Sequence, residues 1–124
     1  MKLRVLPGKY DICRLDMDES IPVWAVQSDF FSVTRTGEEL SVVCQKEKIP
    51  SGTRSEKDWR VLKIEGPLDF SLIGILSAVS SVLAENKISI FAVSTYDTDY
   101  ILVKDKDIKK AISALSAGKY EVVQ

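Results

Sequence analysis

Between residues 60 and 123 the apolar side chains change period in a fixed order, and that order restricts the fold more than any other feature. Residues 60–65 alternate, with Leu62 and Ile64 on one side, the period of a half-buried strand. Over 69–85 the step becomes three to four. Leu72, Ile75, Leu76, Val79, Val82 and Leu83 make one wide apolar stripe, so a helix is expected there. Gly74, Ser77, Ala78 and Ser81 fall largely off it, a small-residue face suited either to close helix approach or to plain solvation. Asn86-Lys87 ends the helix, and 88–93 and 100–103 are β-rich runs. Asp105 or Asp107 stands where a helix cap belongs, ahead of Ile108, Ala111, Ile112 and Leu115 on an inner face, with Gly118 as the stop. Residues 120–123 form a closing strand. Strand, helix, strand, strand, helix, strand is the split pattern of a ferredoxin-like unit.

The first half repeats part of this order. Residues 2–6 have strand character and Pro7-Gly8 a turn. Residues 10–16 alternate as a strand, 16–20 form an acidic loop, and Pro22 opens a short helix over 22–27, with Trp24 as a core plug. Residues 30–35 and 40–44 read as a hairpin turning at Gly37. Residues 46–57 hold Pro50, Ser51 and Gly52 among many charges, and read as loop and natural boundary. No clear second helix follows. The fold expected is therefore α+β: ferredoxin-like βαββαβ units in tandem, with antiparallel sheets and helices on one face. The reduced unit spans 1–57 and the complete one 58–124. A chain of 124 residues has room for one domain or two very small ones.

The totals remove several classes of function. A net charge of −1, with Lys and Arg interleaved among acids, argues against nucleic-acid binding by a basic face. There is no histidine, which removes Ser-His and Cys-His nucleophiles and the commonest metal ligand. Cys13 and Cys44 lack metal-type spacing and read as reduced, buried strand thiols. No apolar run reaches the length of a membrane span, and residues 1–8 lack a signal-peptide core, so a cytoplasmic protein with no membrane contact is expected. No phosphate-binding glycine loop is present. Neither a cofactor, a metal nor catalysis is expected.

Two turns carry the remaining polar chemistry. Gly66-Pro67-Leu68-Asp69-Phe70 opens a helix, and Ser94-Thr95-Tyr96-Asp97-Thr98-Asp99-Tyr100 joins two strands. With the tandem order of elements, these residues resemble ACT domains, the small ligand-binding modules of aspartokinase regulatory regions. The likeness is greatest to small tandem-ACT proteins and the cytosolic arginine sensors related to them. It is strongest over 59–124 and extends more loosely to about residue 10. It implies an allosteric, regulatory module that holds an amino acid between two ACT units. Gly66 and Asp69 would lie on the helix-opening turn, and Thr95, Tyr96 and Asp99 on the strand-end turn. The first half departs from the family pattern, because Asp16-Met17-Asp18-Glu19-Ser20 contains no glycine.

An amino acid carries a carboxylate and an ammonium close together. A helix N-terminus offers unpaired N–H groups to the carboxylate, and Gly66 lets backbone approach closely. Asp69, Asp97 and Asp99 are carboxylates for the ammonium. Ser94, Thr95 and Thr98 add neutral donors and acceptors, and Tyr96 covers an apolar portion. The expected ligand-binding set is thus Gly66, Pro67, Leu68, Asp69, Phe70, Ser94, Thr95, Tyr96, Asp97, Thr98 and Asp99. Plain structural roles stand beside these: Asp69 as a helix cap, and 96–99 as an ordinary hairpin turn. A module that keeps the fold without a ligand and works through protein contacts is the alternative function. A homodimer is the expected assembly.

Overall fold

The structure is a computed structural model and describes residues 1–65, 74–118 and 120–124. It divides into two compact units, one of Met1–Pro7 with Arg60–Gln124, the other of Gly8–Trp59. The sequence-based boundary assigned residues 1–57 to the first unit; the structure instead gives Met1–Pro7 to the C-terminal unit. The cause is strand pairing at long range. Strand β1 (Lys2–Val5) runs antiparallel to the second half of β5 (Ser55–Ile64), with Leu3 opposite Ile64 and Val5 opposite Leu62. All four side chains are buried.

In the C-terminal unit, β5 is followed by α1 (Ile75–Glu85), β6 (Ile90–Ser94), β7 (Asp99–Lys104), α2 (Ile108–Ala117) and β8 (Glu121–Val123). Strand β7 pairs with both β5 and β6. Strand β1 lies between β5 and β8, antiparallel to β5 and parallel to β8. Without β1, the unit has the ferredoxin-like order, its first strand between its third and fourth. Alternate residues Leu62 and Ile64 of β5 and Ile101 and Val103 of β7 pack with Val79 and Leu83 of α1 and Ala111 and Leu115 of α2. Both helices thus cover one face. Truncating such a side chain, as in Leu83→Ala, costs about 2–5 kcal/mol.

The helices differ in detail from expectation. Helix α1 starts at Ile75, and Gly74 before it has φ +81°, a left-handed conformation that interrupts any right-handed helix. The expected start at Asp69 and the stripe residue Leu72 lie outside the described residues. Ser77, Ala78 and Ser81 are exposed, so among the described residues the small-residue face is solvated. Asp107 holds the position before α2 without a side-chain cap bond, and Asp105 pairs with Arg60 at 3.4 Å.

The N-terminal unit contains β2 (Tyr10–Leu15), a 3₁₀ turn at Val23–Val26, β3 (Ser32–Arg35), β4 (Leu40–Gln45), a 3₁₀ turn at Lys46–Lys48 and the first half of β5. Its order β3-β4-β2-β5 is again ferredoxin-like. The unit is reduced in its helices alone. The expected helix over 22–27 is a single 3₁₀ turn, and the end of the expected loop at 46–57 is strand from Ser55. Trp24 packs, half-buried, against the cluster of Cys13, Ala25, Leu40, Val42 and Cys44. The β3–β4 hairpin forms as expected, its turn closed by Thr36 Oγ1 accepting from the N–H groups of Glu38 and Glu39, each at 3.1 Å.

A buried carboxylate fixes the pairing of β2 with β5. The register slips between Tyr10 opposite Trp59 and Ile12 opposite Glu56, a bulge that puts Asp58 at φ +65°. Asp11, 3% exposed, accepts from the Asp58 N–H at 3.0 Å. Lys46 Nζ stands 3.6 Å from Asp11 Oδ2 and 3.1 Å from Asp58 Oδ1. The hydrogen bond with Asp58 raises the Lys46 pKa above its ordinary value.

Burial also pushes the Cys13 thiol up to about 11 and the Cys44 thiol up to about 12, and raises the Tyr10 phenol. All four groups hold their protons more tightly folded than unfolded. Their contribution is complete below the ordinary values of 9.0, 10.0 and 10.5 and is lost as pH rises through the folded values. Tryptophan fluorescence followed from pH 8.5 upward is expected to report unfolding before the pH reaches about 12. The Cys13→Ala/Cys44→Ala chain should hold out to higher pH, and identical profiles for the two chains would contradict the assignment to the thiols.

Candidate ligand-binding site

Strands β6 and β7 end against each other at Ser94 and Asp99, leaving Thr95, Tyr96, Asp97 and Thr98 as a four-residue loop. The loop closes on itself. Thr95 N–H donates to the Thr98 carbonyl at 2.8 Å, Thr95 Oγ1 donates to the same oxygen at 3.0 Å, and Thr98 N–H donates back to Thr95 Oγ1 at 3.3 Å. Ser94 Oγ donates to Asp99 Oδ1 at 2.5 Å, so one carboxylate oxygen is already oriented. Tyr96 is 81% exposed, and Ser94, Thr95 and Asp97 are exposed with it, while Asp99 is half-buried. This is hairpin-turn chemistry with a cluster of polar atoms facing solvent.

Thr98 differs from its neighbours. It is buried, and its Oγ1 donates to the carbonyl of Ile64, the last residue of β5, at 2.5 Å. The strand-end loop is therefore held against the end of β5, two residues ahead of Gly66. Thr98 is a positioning residue, because its hydroxyl is committed inside the unit. The next residue, Glu65, is fixed by β1: its N–H donates to the Lys2 carbonyl at 2.9 Å. Its carboxylate accepts from Arg4 Nε at 2.5 Å, with Lys63 Nζ at 3.8 Å. The Arg4 bond holds the Glu65 carboxyl below its ordinary value. The chain thus leaves β5 from a fixed point whose negative charge is matched. Gly66, Pro67, Leu68, Asp69 and Phe70, the helix-opening half of the expected site, lie outside the described residues.

The N-terminal unit holds a pocket of about 210 Å³ that sequence reasoning missed, lined by Asp11, Lys46, Lys57 and the turn around Gly52 among others. Its signal was Asp11, an acid among the apolar residues of β2. The Asp11 carboxylate is matched by Lys46 and the Asp58 N–H, so it serves the bulge. Among the described residues no three His, Cys, Asp or Glu side chains gather as a metal site requires, and no helix is long and apolar enough to cross a membrane.

The family model described as ACT domain matches residues 54–117. The chain belongs to the ACT domain family. A second model, for an N-terminal domain, matches residues 8–52. The Bos taurus protein named cytosolic arginine sensor for mTORC1 subunit 1 is 32% identical over 98 residues, covering 70% of this chain and 30% of that protein. The chain thus spans about a third of the length of that curated relative. The crystal structure of a protein from Agobacterium tumefaciens superposes with a TM-score of 0.93 at 41% identity, covering 98% of this chain and 91% of that one. The ligand-free regulatory subunit of aspartate kinase from Thermus thermophilus shares the fold, with a TM-score of 0.61 at 10% identity over 89% of this chain and 92% of its own. The family match and these superpositions agree with the ACT-type α+β fold expected from sequence.

The Thr98 tether gives a direct test. Thr98→Val keeps the shape but leaves the buried Ile64 carbonyl without its donor, and is expected to cost about 1–3 kcal/mol in urea denaturation. Thr98→Ser should recover most of this. Asp97→Ala, on the exposed tip, should stay within about 0.5 kcal/mol.

Proposed function

We propose that this ACT protein is a non-catalytic regulatory module that binds an amino acid at residues 66–70 together with the loop of residues 94–99. The observation that carries the reading is the bond from Thr98 to the Ile64 carbonyl, which keeps the polar loop beside the end of β5, adjacent in sequence to Gly66. In this reading the backbone N–H groups of residues 66–70 take the ligand carboxylate, with Gly66 allowing close approach. Asp69, Asp97 and Asp99 supply acceptors for the ammonium, and Tyr96 lies over the side chain. Three acids around the site favour a neutral or cationic amino acid. Arginine is the first candidate, consistent with the name of the Bos taurus relative. The protein works in the cytoplasm, and binding acts by favouring one arrangement of the units or of two paired chains, by as much as its differential affinity for them.

The self-contained bonding of the 94–99 loop favours a second reading, an ACT-fold interaction module without a ligand. A thermal-shift screen against the twenty amino acids at millimolar concentration separates the two. A ligand at about one hundred times its Kd adds about 2.7 kcal/mol and raises Tm by several degrees. Arginine or a neutral amino acid is expected to do so, and Asp99→Ala and Asp69→Ala to abolish the effect. A flat screen favours the ligand-free module, and a comparable shift with aspartate removes the argument from charge.

A further inference from the structure

Seven large apolar side chains are exposed among the described residues, and five of them, Met17, Ile21, Val23, Val26 and Phe31, belong to residues 17–31 of the N-terminal unit. The 3₁₀ turn at Val23–Val26 explains two. With three residues per turn, Val23 and Val26 stand one above the other. Ala25 is fully buried and Trp24 half-buried against the sheet, so the turn is anchored by these residues while the two valines point outward, Val23 at 72% exposure. A ferredoxin-like unit ordinarily covers one sheet face with two helices. Here that layer consists of 3₁₀ turns of four and three residues.

The charged side chains of the segment itself have one sign. Residues 16–31 contain Asp16, Asp18, Glu19 and Asp29, all exposed, and neither Lys nor Arg. The nearby base Arg35 is turned back on the segment, donating to the carbonyls of Met17 and Glu19. It fixes the loop, so little conformational freedom remains to be lost on binding, and its single charge stands against four carboxylates. An apolar ridge within an acidic segment repels anionic lipid and nucleic acid and complements a cation-rimmed apolar partner.

We infer that the outer face of residues 16–31 is a docking surface for a basic amphipathic helix of a partner protein, which covers the outer side of this thin 3₁₀ layer. Apolar residues at steps of three and four lie over Val23, Val26 and Ile21. Lys and Arg on the flanks meet Asp16, Asp18, Glu19 and Asp29.

The test uses the full chain and a designed Leu/Lys amphipathic peptide of about 18 residues. Amide shifts on titration should concentrate in residues 16–35, the peptide should gain helicity, and affinity should fall with salt. Val23→Asp and, independently, Ile21→Asp should weaken binding by about tenfold or more with Tm unchanged, because both side chains are exposed. Asp18→Lys/Glu19→Lys should weaken it without touching the ridge. No shifts at millimolar peptide, equal binding of a Leu/Glu peptide, or shifts centred elsewhere would overturn the inference. So would a dimer in sedimentation equilibrium that Val23→Asp dissolves, which would assign the face to a second copy.

Discussion

Insertion of the N-terminal strand between β5 and β8 is the constraint on which the C-terminal unit depends. Leu6 N–H donates to the Val61 carbonyl at 2.9 Å, Glu65 N–H to the Lys2 carbonyl at 2.9 Å and Glu121 N–H to the Met1 carbonyl at 3.0 Å. Three segments far apart in sequence thus meet in one place. Leu3 and Val5 bring apolar surface to the core at about 25 cal/mol per Å² removed from water. The entropy of closing so long a loop grows only with the logarithm of its length, so local burial can offset it. The cost falls on the rate, since non-local pairing must precede its reward.

The same insertion prepares the candidate site. Strand β1 fixes Glu65 through its main chain and through Arg4, and the 94–99 loop fixes Ile64 through Thr98. The exit of β5 is held at consecutive residues by two different elements. A short polar loop becomes useful for recognition when its supports are rigid, because positioned groups lose less entropy on binding. The N-terminal unit uses a comparable device for structure alone, where Asp11 and Lys46 hold the Asp58 bulge.

The two units show how much of a ferredoxin-like pattern can be removed. The N-terminal one keeps its strand order while its helices shrink to 3₁₀ turns. Its small cluster of Cys13, Ala25, Leu40, Val42 and Cys44 still closes over the sheet, helped by Trp24. What it lacks is cover for the outer side of that thin layer.

Sequence alone determined the alternation of strands and helices over residues 60–123, the β3–β4 hairpin and the polar loop at 94–99, because those signals are local: a period of two, a period of three to four, a turn residue. The resemblance to ACT domains rested on the same local stretches. Sequence did not reveal that β1 belongs to the C-terminal unit, that Ser55 already starts a strand, or that the 22–27 helix is one 3₁₀ turn. The first two depend on partners far along the chain, and the third on how much sheet the turn has to cover. Nor did it separate Thr98 from Thr95, two threonines in one loop. Only the tertiary structure made that division, by burying Thr98 against a carbonyl that needed a donor.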